Sequence, residues 1–207
     1  MTKIKICGIT QEKEIEAVNI LKPDYVGFVF AEGSRRFVTI EKAMQLRNDL
    51  NKDIKVVGVF VDAPIEHIVA LCKQNIIDVI QLHGKESHDY IKELRYHTAK
   101  RIMKAYEIKA EADIENANKS IADYILLDHG AGGTGECFNW SLLAAVKRSF
   151  LLAGGLNPNN VEEAIKAAAA TDYLYGIDTS SGVETNGTKD FQKIEKMIQA
   201  VRESKER

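Results

Sequence analysis

Eight short apolar runs punctuate the chain, at residues 3–7, 25–30, 55–61, 78–82, 100–105, 123–127, 150–153 and 173–177. They are rich in Ile, Val, Leu, Phe and Tyr, and most lack the polar alternation of a strand with one wet face. Such runs predict strands buried on both faces of a parallel sheet. Between them the apolar residues recur at helical spacing, over about 10–19, 40–50, 64–74, 87–94, 111–118, 140–147, 158–169 and 189–204. Thr10, Thr39, Asn139 and Asn157 stand where N-caps are expected, and Pro158 suits a first helical turn. Eight strand–helix units in 207 residues leave about 25 residues per unit. That predicts a single-domain α/β fold over 1–207, a closed (β/α)8 TIM barrel. The competing topology, a doubly wound open sheet, usually has fewer strands and a Gly-x-Gly-x-x-Gly first turn. The first turn here is Cys-Gly-Ile-Thr at 7–10.

Composition narrows the class. A hydrophobic content of 45% and a charged content of 28% are those of an ordinary globular chain, and the length suits one sizeable core. A formal net charge of −2 argues against a nucleic-acid partner, which calls for clustered basic residues. No apolar run approaches a membrane span, and no signal peptide precedes the first strand. A cytoplasmic enzyme is the expectation. Cys7, Cys72 and Cys137 form no Cys-x-x-Cys pair and read as free thiols, Cys72 as core filler. The histidines at 67, 88, 97 and 129 are too scattered for a metal site, so no metal is expected. The C-terminal residues 202–207 read as a fraying helix end.

In a barrel, the residues just after each strand meet at one face. Strand 1 brings Cys7, and strand 2 brings Ser34, Arg35 and Arg36. Strand 3 ends near Asp62. Strand 4 brings Gln81, His83 and Gly84. Strand 6 brings Asp128, followed by the glycine-rich run 130–135. Strand 7 brings Gly154 and Gly155, and strand 8 brings Asp178, Thr179, Ser180, Ser181 and Gly182. The last two loops are the phosphate candidate. Paired glycines let backbone N–H groups approach an anion, and Asp-Thr-Ser-Ser-Gly adds hydroxyl and amide donors. Cys7 and Asp128 are the acid–base candidates, across a substrate from one another. The bland readings are a buried thiol for Cys7 and a turn residue for Asp128. Arg35 and Arg36 read either as surface charges or as a fork for a carboxylate. Gln81 and His83 read equally as ligand contacts or as polar strand ends.

The chain resembles the phosphoribosylanthranilate isomerases of tryptophan biosynthesis along essentially its whole length. The resemblance rests on Lys-Ile-Cys-Gly-Ile-Thr at 5–10, Gly-Phe-Val-Phe at 27–30 with Ser-Arg-Arg-Phe-Val at 34–38, and Val-Gly-Val-Phe-Val at 57–61. It continues through Gln-Leu-His-Gly at 81–84, Leu-Leu-Asp at 126–128 and Gly-Gly-Thr-Gly at 132–135. It ends with Leu-Ala-Gly-Gly-Leu-Asn-Pro-Asn-Asn-Val at 152–161 and Gly-Ile-Asp-Thr-Ser-Ser-Gly-Val-Glu at 176–184. Each stretch is weak alone; in this order and spacing they are specific.

The resemblance implies an Amadori rearrangement of N-(5-phosphoribosyl)anthranilate, without a cofactor. It makes Asp128 the general acid at the ring oxygen and Cys7 the general base at C2. It turns Arg36 toward the anthranilate carboxylate, and maps Gly154, Gly155, Asp178, Ser180 and Ser181 to the phosphate. Gln81 and His83 join the substrate-binding set. The chain departs from the family where Arg35 replaces a common proline, where Asn139 replaces a common aspartate, and in a short loop after Asp128. The expected partner is a small phosphorylated substrate, and the expected assembly a monomer or homodimer. Two alternatives stand beside this: a barrel synthase of the indole-3-glycerol-phosphate type, with Lys104 as its catalytic lysine, and a non-catalytic barrel that binds a phosphorylated metabolite.

Overall fold

The computed structural model describes residues 2–130 and 137–204. In chain order the elements are β1 (Lys3–Cys7), α1 (Glu12–Leu21), β2 (Tyr25–Val29), α2 (Ile40–Asp49), β3 (Lys55–Phe60), α3 (Ile65–Lys73), β4 (Val79–Leu82), α4 (His88–His97), β5 (Arg101–Glu107), α5 (Glu111–Asn118) and β6 (Tyr124–Asp128). A 3-10 helix, Trp140–Ala145, precedes β7 (Phe150–Leu152), α6 (Val161–Ala169) and β8 (Leu174–Thr179). A one-turn 3-10 helix, Ser181–Val183, then leads into β9 (Glu184–Thr185), β10 (Thr188–Lys189) and α7 (Phe191–Glu203).

Strands β1 to β8 pair in sequence order, all parallel, and β8 returns to β1 to close the barrel. Side chains alternate across the wall, as the two-residue period of a strand requires. Ile4, Ile6, Val26, Phe28, Ile80, Leu82, Ile125, Leu127, Phe150 and Leu152 face outward into the core shared with the helices. Met103, Ala105, Leu126, Leu151 and Ala153 fill the lumen, and Cys7, Val29 and Val59 cap it at the C-terminal end. Cys72 packs in the outer core.

One register slip positions part of the site. Phe150 pairs with Leu174, but Leu151 pairs with Gly176, so β8 carries one extra residue there. Strict alternation from Leu174 would turn Asp178 outward. The slip turns it inward, beside Lys5, its partner across the β1–β8 seam.

Helix starts differ from expectation in two places. Thr10 does not cap α1: the Glu14 carboxylate accepts the backbone N–H groups of both Thr10 and Gln11, at 2.7 and 3.0 Å, and Gln11 becomes the N-cap. Asn157 does not cap α6 either. Its carbonyl accepts from Asn160 and Val161, which closes a turn over Pro158, and the helix starts three residues late. Thr39 does cap α2, through Lys42 N–H at 3.2 Å. Asn139 caps a 3-10 helix rather than the α-helix expected over 140–147. The hairpin of β9 and β10 was not anticipated, because two-residue strands leave no readable alternation.

Candidate active site

The C-terminal ends of the strands surround one cleft. The ten residues expected in catalysis and substrate binding all line it, together with Ser34, His129, Thr179 and Gly182.

Cys7 closes β1, opposite Gly27 of β2. A Cβ on Gly27 would stand 2.7 Å from the Cys7 sulfur, so the bare glycine is what leaves the thiol its place. Gly8 follows with φ of 83°, a left-handed conformation that favours glycine, and its N–H and that of Ile9 donate to the Gly27 carbonyl. A Cβ on Gly8 would lie 2.3 Å from Arg36 Cδ. Arg36 therefore crosses directly over the turn after the thiol. Burial pushes the Cys7 thiol above its ordinary pKa, while the nearby Lys5 ammonium pulls it back down.

Arg36 is braced rather than loose. Its Nε and Nη2 donate to the two carboxylate oxygens of Glu184, at 2.7 and 2.8 Å. Among the described residues two of its five guanidinium N–H groups are used, and Nη1 has no partner. Glu184 also accepts from Lys189 Nζ, which reaches the Ser180 carbonyl at 3.1 Å. Arg36 and Lys189 outweigh burial and hold the Glu184 carboxyl down at about 2. Burial brings Lys189 below the ordinary lysine range, against the pull of Glu184. The expected Arg pair divides: Arg36 enters the cleft, whereas Arg35 is exposed and does not line it.

Asp128 closes β6, three strands from β1 around the wall. Gly154, with φ of 84°, passes close over it; a Cβ there would lie 2.6 Å from the His129 amide and 2.9 Å from Asp128 Oδ1. His83 Nε2 stands 3.5 Å from Asp128 Oδ2, and its Nδ1 lies 2.9 Å from Gln81 Nε2. With the Gln81 amide donating to Nδ1, the ring proton sits on Nε2, facing the carboxylate. The Gln81 side chain is buried, and its Oε1 has no hydrogen-bond partner among the described residues.

Gly154 and Gly155 form the loop after β7, and Ser180 and Ser181 the loop after β8. The Thr179 hydroxyl donates to the Leu156 carbonyl at 2.7 Å and ties the two loops together. Ser180 Oγ donates to the Cys7 carbonyl at 2.9 Å, tying loop 8 to β1. Asp178, below them, accepts from Lys5 Nζ at 2.8 Å. Burial pushes the Asp178 carboxyl up, and Lys5 draws it back.

Other candidates lie elsewhere. Asp62 is outside the cleft and accepts from the Lys85 amide at 2.6 Å, bracing the loop after β4. Lys104 alternates with the lumen-facing Met103 and Ala105 and so points outward, where it donates to Glu86 and to the Gly84 carbonyl. Residues 131–136, which hold most of the glycine-rich run after Asp128 and define the length of that loop, lie outside the described residues. Sequence reasoning missed Lys5, Glu184 and Lys189. Lys5 carried a signal, being two residues before Cys7 and so on the same strand face. Among the described residues no cluster of His, Cys, Asp and Glu is arranged to hold a metal ion, and no helix is long and apolar enough to cross a membrane.

Known proteins resemble this chain throughout. The family model described as N-(5'-phosphoribosyl)anthranilate (PRA) isomerase matches residues 4–200. The N-(5'-phosphoribosyl)anthranilate isomerase of Thermoanaerobacter pseudethanolicus is 44% identical over 208 residues, covering 98% of each chain. The crystal structure of phosphoribosyl anthranilate isomerase from Thermotoga maritima superimposes with a TM-score of 0.87 at 33% identity, covering 98% of this chain and 99% of that one. A structure of the same enzyme type in complex with reduced 1-(o-carboxyphenylamino)-1-deoxyribulose 5-phosphate gives a TM-score of 0.84 at 32% identity, with the same coverage.

Proposed function

The chain belongs to the N-(5'-phosphoribosyl)anthranilate isomerase family, and from that premise we propose that Cys7 and Asp128 are the base and acid of its reaction. The activity is the isomerisation of N-(5'-phosphoribosyl)anthranilate to 1-(2-carboxyphenylamino)-1-deoxyribulose 5-phosphate in tryptophan biosynthesis. The observation that carries the residue roles is the position of the two groups, which face one cleft from strands three apart.

The acid step breaks the bond between C1 and the ring oxygen. Asp128 gives its proton to that oxygen, and the anthranilate nitrogen supplies the electron pair that makes the Schiff base. The Cys7 thiolate then takes the C2 proton, the electrons move toward nitrogen, and an enolamine forms. Its tautomerisation to the ketone places a proton on C1. Atoms and electrons balance without a redox partner, which is why the reading includes no cofactor.

The ends of the substrate are held by different means. The remaining Nη1 of Arg36 suits the anthranilate carboxylate. Gly154, Gly155, Ser180 and Ser181 offer amides and hydroxyls to the phosphate, with Asp178 beneath them. His83, backed by Gln81, orients the Asp128 carboxyl.

The test couples anthranilate and phosphoribosyl pyrophosphate through the transferase to form the unstable substrate in place, and follows its fluorescence. Wild type is expected to consume it, and Asp128→Asn is not. Cys7→Ser is expected to lose about 10²–10⁴-fold in kcat, the scale of acid–base catalysis, with phosphate affinity nearly kept. Turnover at the wild-type rate in either variant removes that residue from its role.

A further inference from the structure

Lys5 is a charged side chain with 0% exposure, and the acid–base steps leave it unused. It shares the inner face of β1 with Cys7 and stands beneath the thiol. Its Nζ donates to Asp178 Oδ1 at 2.8 Å across the β1–β8 seam. An ammonium has three N–H groups, so this bond leaves donors for the sulfur above it.

We propose that Lys5 is a positioning residue for the Cys7 base: its ammonium, anchored by Asp178, is the positive charge against which the thiol releases its proton. The proposal rests on the reading of Cys7 as base. Opposite charges attract far more strongly in a dry lumen than in water. Other charged groups also face the thiol. Lys189 of β10 favours ionisation, and Arg36 from the loop after β2 is near enough to feel the thiolate; both are already paired with Glu184. Asp178 of β8 opposes it, but less strongly than Lys5 favours it. Asp128 of β6 and His83, just after β4, act on Asp178 from across the lumen. Burial works against the ammonium, yet Asp178 and Cys7 outweigh it and hold Lys5 above the ordinary lysine range. Lys5 therefore stays charged while Cys7 titrates.

The test reads Cys7 ionisation directly. The rate of its alkylation by iodoacetamide is followed against pH, with mass spectrometry of the Cys7 peptide to exclude Cys72 and Cys137. In Lys5→Met the midpoint is expected to rise by about one pH unit or more, a tenfold drop in thiolate at a given pH. The rising limb of kcat/KM with pH should move with it. Lys5→Arg, which keeps the charge, should restore most of the thiolate. If Lys5→Met does not fold, Lys5→Gln keeps a donor for Asp178, removes the charge and is expected to show the same rise. An unmoved midpoint in a folded neutral variant overturns the proposal. Cys7→Ser at wild-type turnover would instead overturn the base reading, and the proposal with it. An inactive Cys7→Ser with an unmoved midpoint sinks the role of Lys5 alone.

Discussion

Three side chains of the proposed site each lie against a glycine. Cys7 occupies the space a Gly27 Cβ would fill, Arg36 crosses Gly8, and Asp128 lies under Gly154. The pattern follows from packing density: a filled interior has no slack, so room for a reactive group must come from an absent methyl. Gly27→Ala is the cleanest probe, because its backbone is ordinary strand and only the added Cβ acts. Overpacking of this kind costs about 1–3 kcal/mol. The larger effect is on aim, since a misplacement of about 1 Å can cost around 10²-fold. We expect kcat to fall by that order, KM to change little, and the melting temperature to drop by several degrees. Steady-state kinetics and thermal unfolding measure both. Wild-type kcat in a folded Gly27→Ala would mean that the thiol has more freedom than this geometry gives it.

The hairpin of β9 and β10 works as a brace. It delivers Glu184 to Arg36 and Lys189 to Ser180, and so joins the loop after β2 to the loop after β8. Its contribution depends on pH in a defined direction. Glu184 titrates at about 2 when folded, against about 4.3 for a free glutamate, so its stabilisation is full above the free value and is lost as pH falls toward 2. Glu184→Gln is therefore expected to melt lower at neutral pH and to show a shallower decline between about pH 4.5 and 2. Parallel melting curves across that window would remove Glu184 from this role. The hairpin had one local signal, the Asn186-Gly187 turn with φ of 52° and 79°, but its strands are too short for a period, and Arg36, which Glu184 meets, lies 148 residues away. The barrel strands could be read because most are apolar runs rich in β-branched and aromatic residues and interrupted by few polar ones, and α5 was found at its observed boundaries. The inward turn of Asp178 lies beyond any reading of the local pattern, because it depends on the slip between β7 and β8. The helices start after Thr10 and Asn157 because Glu14 and Asn160, a few residues on, accept the N–H groups of Thr10, Gln11 and Asn157 and fold those residues into the turns that precede the helices.

At the level of the whole barrel, the wall separates two kinds of buried charge. Lys5 and Asp178 face the lumen and the cleft, whereas Lys104 and Glu86 pair outside the wall. This orientation argues against a barrel synthase that uses Lys104. Lys104→Met should leave turnover per folded molecule within a few-fold of wild type. It should cost about 3–5 kcal/mol of stability, because the buried Glu86 carboxylate loses its partner. Denaturant unfolding beside the fluorescence assay separates the two effects; lost activity at unchanged stability would revive the lysine mechanism. The seam where β8 meets β1 has a consequence for the nascent chain. The Lys5–Asp178 pair and the Ser180–Cys7 bond each join residues 173 positions apart. Strand β1 therefore leaves the ribosome well before β8, and Lys5 stays in water until Asp178, 173 residues later, can pair with it. This side of the cleft therefore assembles last, in the step that turns an open sheet into a ring.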